Sequence, residues 1–158
     1  MSADRLLVAV FASSTAEVLL RWGAELGFRT VLVEPGDAAV EVRADRTVRG
    51  FAELEDELAA GTADVVVTDH HRDELGELLR DALAHPARWV GVMGNPRQEG
   101  PHVAALTALG VPAEEIARVH RPIGLDIGSK QAAEIAVSTL AGLLADRNGR
   151  PGGFAHGG

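Results

Sequence analysis

The chain has 158 residues, enough for one domain with a substantial core, and 46% hydrophobic against 24% charged residues is the balance of a folded globular protein. It has no cysteine, which excludes disulfides, thiolate metal sites and a cysteine nucleophile on this chain. Net charge is −8 without a basic cluster, which argues against a nucleic-acid surface, and no apolar run approaches the roughly 20 residues that cross a bilayer, so no membrane span and a cytoplasmic location are expected.

Leu6 to Val10 is a continuous apolar run that predicts a strand, and Val18, Leu19, Trp22 and Leu26 follow at helical spacing until Gly27. Thr30 to Val33 predicts a second buried strand, closed by Glu34, Pro35 and Gly36. A short strand near Arg46 to Arg49 and a helix from about Glu53 to Ala60 come next. Asp64 to Thr68 is the clearest strand, and Leu75, Leu78, Leu79 and Leu83 make one face of the helix after it. Arg88 to Met93 predicts a further strand. Asn95 is placed to cap the following helix, with Pro96 at its first position and Val103, Leu106 and Leu109 along it until Gly110. After a helical turn at Ala113 to Ile116, Ala117 to His120 predicts the last strand, and Ile135, Ala136, Thr139, Leu140, Leu143 and Leu144 stripe the final helix.

Strands that do not alternate, each followed by a helix, predict an α/β fold: a Rossmann-like, doubly wound, mostly parallel sheet with helices on both faces. The domain is expected to span residues 1–148, followed by a flexible, glycine-rich tail at 149–158. Ligands in such folds sit outside the carboxyl ends of the strands.

At the first strand end a dinucleotide site needs G-x-G-x-x-G/A, whereas here Phe11 and Ser13 replace the first two glycines and only Ala16 keeps the small third residue. Ser13, Ser14 and Thr15 can cap the helix or bind a single phosphate. Glu34 stands where a carboxylate would bind ribose hydroxyls, and equally where a turn tolerates one. T-D-H-H-R-D, Thr68 to Asp73, brings Asp69, His70 and His71 to the end of the clearest strand. These are metal-ligand types, but adjacent histidines point apart, so no metal site is assigned, and Asp69 or Thr68 is expected to cap the next helix. Gly94 and Asn95 offer backbone N–H groups to an anion, or form a tight turn. His85, His102, Trp22 and Trp89 read as surface or packing residues. In R-P-I-G-L-D-I-G-S, Arg121 to Ser129, Gly124 and Gly128 permit positive φ, while Asp126 is expected either to be held by backbone donors or to face the ligand crevice. No catalytic constellation is assigned.

Four stretches, P-I-G-L-D-I-G (Pro122 to Gly128), E-I-A-V-S-T-L-A (Glu134 to Ala141), W-V-G-V-M-G (Trp89 to Gly94) and V-V-V-T-D-H-H (Val65 to His71), together resemble the C-terminal Rossmann domain of the XdhC/CoxI family. That family comprises accessory factors of molybdenum hydroxylases such as xanthine dehydrogenase and carbon monoxide dehydrogenase. The resemblance implies binding of the molybdenum cofactor, or its nucleotide form, in a crevice lined by Ser13, Ser14, Glu34, Asp69, His70, Gly94, Asn95, Gly124, Asp126 and Gly128. It also implies delivery to a molybdenum hydroxylase apoenzyme, with a desulfurase, a two-domain XdhC-like chain or a second copy of this chain as further partners. The family's S-G-G-C segment belongs to an N-terminal domain with no counterpart in these residues, so contacts made by that domain would come from another chain or a different binding mode. The family's G-A-G-H appears as F-A-S-S and its V-D-P-R as V-E-P-G, which weakens an NAD(P) site; the T-P cap of its last helix appears as Gln131-Ala132, moving the expected cap to Ser129. Two alternatives stand beside this expectation: a domain that has lost its ligand and acts as a protein-interaction subunit, and an NAD(P)-binding oxidoreductase-like domain.

Overall fold

A computed structural model describes residues 4–38, 40–94, 100–121 and 123–154. The six strands β1 (Leu6–Val10), β2 (Arg29–Val33), β3 (Arg46–Val48), β4 (Ala63–Val67), β5 (Trp89–Val92) and β6 (Val119–His120) form one sheet in the order β3-β2-β1-β4-β5-β6. Every pairing is parallel, with Leu6 opposite Arg29 on one side and Ala63 on the other. This is the doubly wound order, whose reversal point lies between β1 and β4.

Helices α1 (Ser14–Glu25) and α6 (Ala132–Arg147) cover one face. The other is covered by a 3₁₀ turn (Phe51–Leu54) leading into α2 (Glu55–Leu58), by α3 (Leu75–Ala84) and by α4 (Pro101–Ala108). Strand side chains alternate between these layers, which is why apolar runs without polar positions were needed. Leu6, Val8 and Val10 enter a core with Leu54, Leu79 and Leu106, whereas Leu7 and Ala9 enter a second core with Leu19, Leu20, Leu140 and Leu143.

Three expectations are corrected. β6 has two residues rather than four, because the short helix α5 (Ala113–Ile116) claims the backbone before it: Ala117 N–H donates to Ala113 O and Arg118 N–H to Glu115 O. α4 begins at Pro101, with extended Gly100 at its N-cap; Asn95 and Pro96, expected to start it, lie outside the described residues. Ser129 does not cap α6. Its hydroxyl accepts the Gln131 N–H at 3.1 Å, closing a turn one step earlier, and Gln131 occupies the cap position without a side-chain bond.

Candidate functional site at the strand ends

The chain leaves β1 through Phe11, whose φ of +77° is the only positive value at a non-glycine position among the described residues. The turn into α1 imposes this conformation, the one glycine would adopt without strain. The Phe11 ring is fully buried in the core, and that burial offsets the backbone cost. Ser13 caps α1, its Oγ accepting the Ala16 N–H at 3.0 Å, as expected. The same Oγ lies 2.9 Å from Thr68 Oγ1, which is itself 3.0 Å from the carbonyl oxygens of Val10 and Phe11. Because carbonyls only accept, the proton order is set: Thr68 donates to them, and Ser13 donates to Thr68. Thr68 and Ser13 thereby staple the β1 and β4 ends at the reversal point, so Thr68 does not cap a helix. Ser14 is exposed, and among the described residues its hydroxyl makes no hydrogen bond.

Glu34 is engaged with the protein itself. Its carboxylate accepts N–H bonds from Ala12 at 2.9 Å and Gly36 at 2.8 Å, and both arms of Arg72 at 2.9 and 2.8 Å. It therefore takes the loop amide that an anionic ligand would use at the β1 end, and its lone pairs are spent on protein donors rather than ribose hydroxyls. The Arg72 guanidinium in turn lies over the Phe11 ring, 4.5 Å from its centroid. The Arg72 guanidinium, with the Gly36 and Ala12 amides, lowers the Glu34 carboxyl to about 2 from 4.5, against an opposing effect of burial.

Because the folded state holds this proton less tightly than the unfolded chain, the stabilisation is complete above pH 4.5 and is lost as pH falls toward about 2. Its size is about 2–3 kcal/mol, since the side chain of Glu34 is only 4% exposed and that of Arg72 is 26% exposed. Unfolding free energies measured across this window should fall more steeply for the native chain than for Glu34→Gln. Parallel pH profiles would contradict this account of the pair.

Past β4, Asp69 Oδ1 accepts the His71 N–H at 2.9 Å, an Asx turn rather than the expected cap; α3 starts later, at Leu75, with Glu74 in the cap position and no side-chain bond. The His70 and His71 rings lie 4.0 Å apart, tilted by 41°. His71 is exposed and His70 half-buried. Among the described residues no three His, Asp or Glu side chains come together to hold a metal ion.

Gly94 and Gly100 flank the Arg121 side chain. A Cβ on Gly94 would lie 2.6 Å from Arg121 Nε, and one on Gly100 would lie 2.9 Å from Arg121 Cδ and 2.4 Å from His102 Nδ1. Glycine at 94 thus makes room for an arginine of the same chain. His102 is only 6% exposed, and its Nδ1 has no hydrogen-bond partner among the described residues. Burial, and after it the charge of Arg121, lowers the His102 pKa; burial, His71 and Arg121 lower that of His70 against the pull of Asp69.

Past β6, Gly124 and Leu125 are held against helix α6. Gly124, at φ +89°, packs so closely on it that a Cβ would meet Ser138 Oγ at 2.6 Å. Ser138 Oγ accepts the Leu125 N–H at 2.6 Å and donates to the Leu125 carbonyl at 2.8 Å. Gly128 also has positive φ, at +64°, in open space. Asp126 is exposed, and no backbone donor reaches its carboxylate among the described residues, so the expectation that loop amides hold it is not met. Of the expected site residues, the fold therefore gathers Ser13 and Glu34 into one closed cluster, and Asp69, His70 and Gly94 into a second region at the β4 and β5 ends. Asn95 lies outside the described residues, Gly124 packs against α6, and Asp126 and Gly128 are exposed. Sequence reading missed Arg72, Arg121 and His102, whose only signal was their place beside strand ends.

Together these features define a doubly wound Rossmann-like domain whose β1 loop is closed by its own side chains. Residues 7–143 match the family model described as the XdhC Rossmann domain. The chain belongs to the XdhC family through this domain. It is 35% identical over 90 residues to an uncharacterised Escherichia coli K12 protein, YqeB, covering 57% of this chain and 16% of that one. It also superposes on a solved Bacillus halodurans protein described as a xanthine dehydrogenase, with a TM-score of 0.70, 21% identity, and coverage of 99% of this chain and 46% of that chain. The chain thus spans less than half the length of either relative, and the second likeness is one of fold. Among the described residues no helix is long and apolar enough to cross a membrane.

Proposed function

We infer that this domain acts in the maturation of a molybdenum hydroxylase of the xanthine dehydrogenase type, binding the molybdenum cofactor as cargo rather than catalysing a bond change. The observation that carries this reading is the family match across residues 7–143, which includes every strand end of the crevice. The closed β1 loop supports it over an NAD(P)-dependent oxidoreductase, since Phe11 replaces the first glycine and Glu34 occupies the Ala12 amide. His70, half-buried, and Ser14, exposed, are strand-end side chains that this reading turns toward a cargo molecule. The closed loop also favours a second reading, a ligand-free interaction subunit of the same machinery.

A ligand that binds only the folded state raises its melting temperature. Under anaerobic conditions molybdopterin is expected to stabilise the protein and to be retained through desalting, while NAD(P) does neither. Stabilisation by NAD(P) alone would overturn the reading. No shift with either, together with copurification of a hydroxylase, would replace it with the interaction subunit.

A further inference from the structure

We propose that the outer face of helix α6 is an interface on which a second copy of this chain docks, with the two helices antiparallel about a two-fold axis. This interface is independent of cofactor handling, because it lies on the solvent side of a helix and not at the strand ends.

Helix α6 is apolar on every side. From Ile135 to Ala145 it carries eleven consecutive residues without a charge. A surface helix ordinarily turns charged residues to water, as α1 does with Arg21 and Glu25 and α3 with Glu77 and Arg80, whereas a helix that is hydrophobic all round is covered all round. Two sides of α6 have their cover. Ala136, Leu140 and Leu143 are buried in the second core, and Gly142 lies so close to the loop after β6 that a Cβ on it would meet Gly124 Cα at 3.2 Å. The third side has no cover among the described residues. Ala133, Val137, Ala141 and Leu144 follow one another at spacings that share a face; Ala133 is exposed, Val137 is 51% exposed, and Ala141 and Leu144 are half-buried.

Charge decides what fits there. Glu134 stands exposed in the first turn of α6. Arg150 stands exposed just past the last turn, fixed there by its N–H, which donates to the Ala145 carbonyl at 2.8 Å. Neither side chain has a partner among the described residues. The two other charges of the last turn are engaged elsewhere, Asp146 with Arg88 and Arg147 with Asp64, and Lys130 lies outside the helix. The face is thus acidic at one end, basic at the other and uncharged over roughly 20 Å of helix between them. Such a face complements itself. Turned end for end, a second copy brings its basic end to Glu134 and its acidic end to Arg150, while the apolar stretches meet between. A parallel arrangement would set like charges side by side, and a partner of one sign would be repelled at one end.

The test is the oligomeric state of the full chain, by sedimentation velocity and light scattering across micromolar concentrations. A concentration-dependent dimer is expected, with a melting temperature that rises with protein concentration. Val137→Asp should weaken dimerisation by about tenfold or more and leave the monomer folded, since the position is half-exposed to water in the monomer. Glu134→Arg and Arg150→Glu should each weaken it by about tenfold, and a chain carrying both should regain the native affinity, because the reversed ends still complement each other. That recovery distinguishes a second copy from any other occupant, since a partner with fixed charges would gain nothing from the double reversal. If Val137→Asp does not fold, the two charge reversals, both at exposed positions, carry the test. A chain that stays monomeric, a dimer indifferent to Val137→Asp, or a doubly reversed chain that associates no better than the single variants would overturn the interface.

Discussion

Replacing Asp64 by alanine is expected to lower the unfolding free energy by about 3–5 kcal/mol, the range for removing one partner of a buried charge cluster. Asp64 is the second residue of β4, near the amino end of the sheet and opposite to the candidate site, and is completely buried. Its two oxygens are shared between arginines from distant parts of the chain: Oδ1 accepts from Arg88 Nε at 2.6 Å, and Oδ2 from Arg147 Nε at 2.8 Å. Arg147 also donates to the Thr62 carbonyl and lies over the Phe28 ring, while Arg88 reaches Asp146 on α6. The cluster thus fastens the end of α6 to β4 and β5. Alanine would leave Arg147, whose side chain is 11% exposed, with the Thr62 carbonyl and the Phe28 ring but no carboxylate among the described residues to compensate its charge. Denaturant unfolding of the native chain and of Asp64→Ala and Asp64→Asn measures this, with asparagine intermediate because it keeps an acceptor but not the charge. A loss below about 1 kcal/mol for alanine would place the cluster with weak surface pairs instead.

Phe11→Gly, which restores the residue a dinucleotide loop would carry, is expected to destabilise the protein by about 2–4 kcal/mol, although it removes backbone strain. Two effects oppose each other. Glycine accepts φ +77° freely, recovering about 1–2 kcal/mol. Against this, emptying the site of a fully buried phenylalanine costs about 3–5 kcal/mol, and Arg72 loses the ring beneath its guanidinium. The core term prevails because the ring sits among β1, β4 and α3 residues that cannot close over the space. Urea titrations at constant m-value give the sign directly. A more stable Phe11→Gly protein would mean that strain, rather than packing, dominates the loop.

Much of the fold was legible in sequence order. L-L-V-A-V, T-V-L-V and D-V-V-V-T carry no solvent-facing alternation, and only strands covered on both faces can be built that way. The cap at Ser13 was equally legible, because capping joins residues three apart. The site was legible only as a set of strand ends. For Glu34 the sequence left a ribose ligand and a turn residue equally open, because the groups that occupy it include an amide 22 residues away and an arginine 38 residues away. Gly94 read as either an anion-binding amide or part of a tight turn, whereas the space beside it is filled by Arg121.

The sequence by itself determined the order of strands and helices, the parallel sheet and the family resemblance, because local periodicity and short motifs carry that information. Tertiary structure alone decided which polar residues remain available to a ligand. Charges and hydrogen-bond donors choose partners through space, and here Arg72 met Glu34, Ser138 met Leu125, and Arg121 passed between Gly94 and Gly100 to lie near His102.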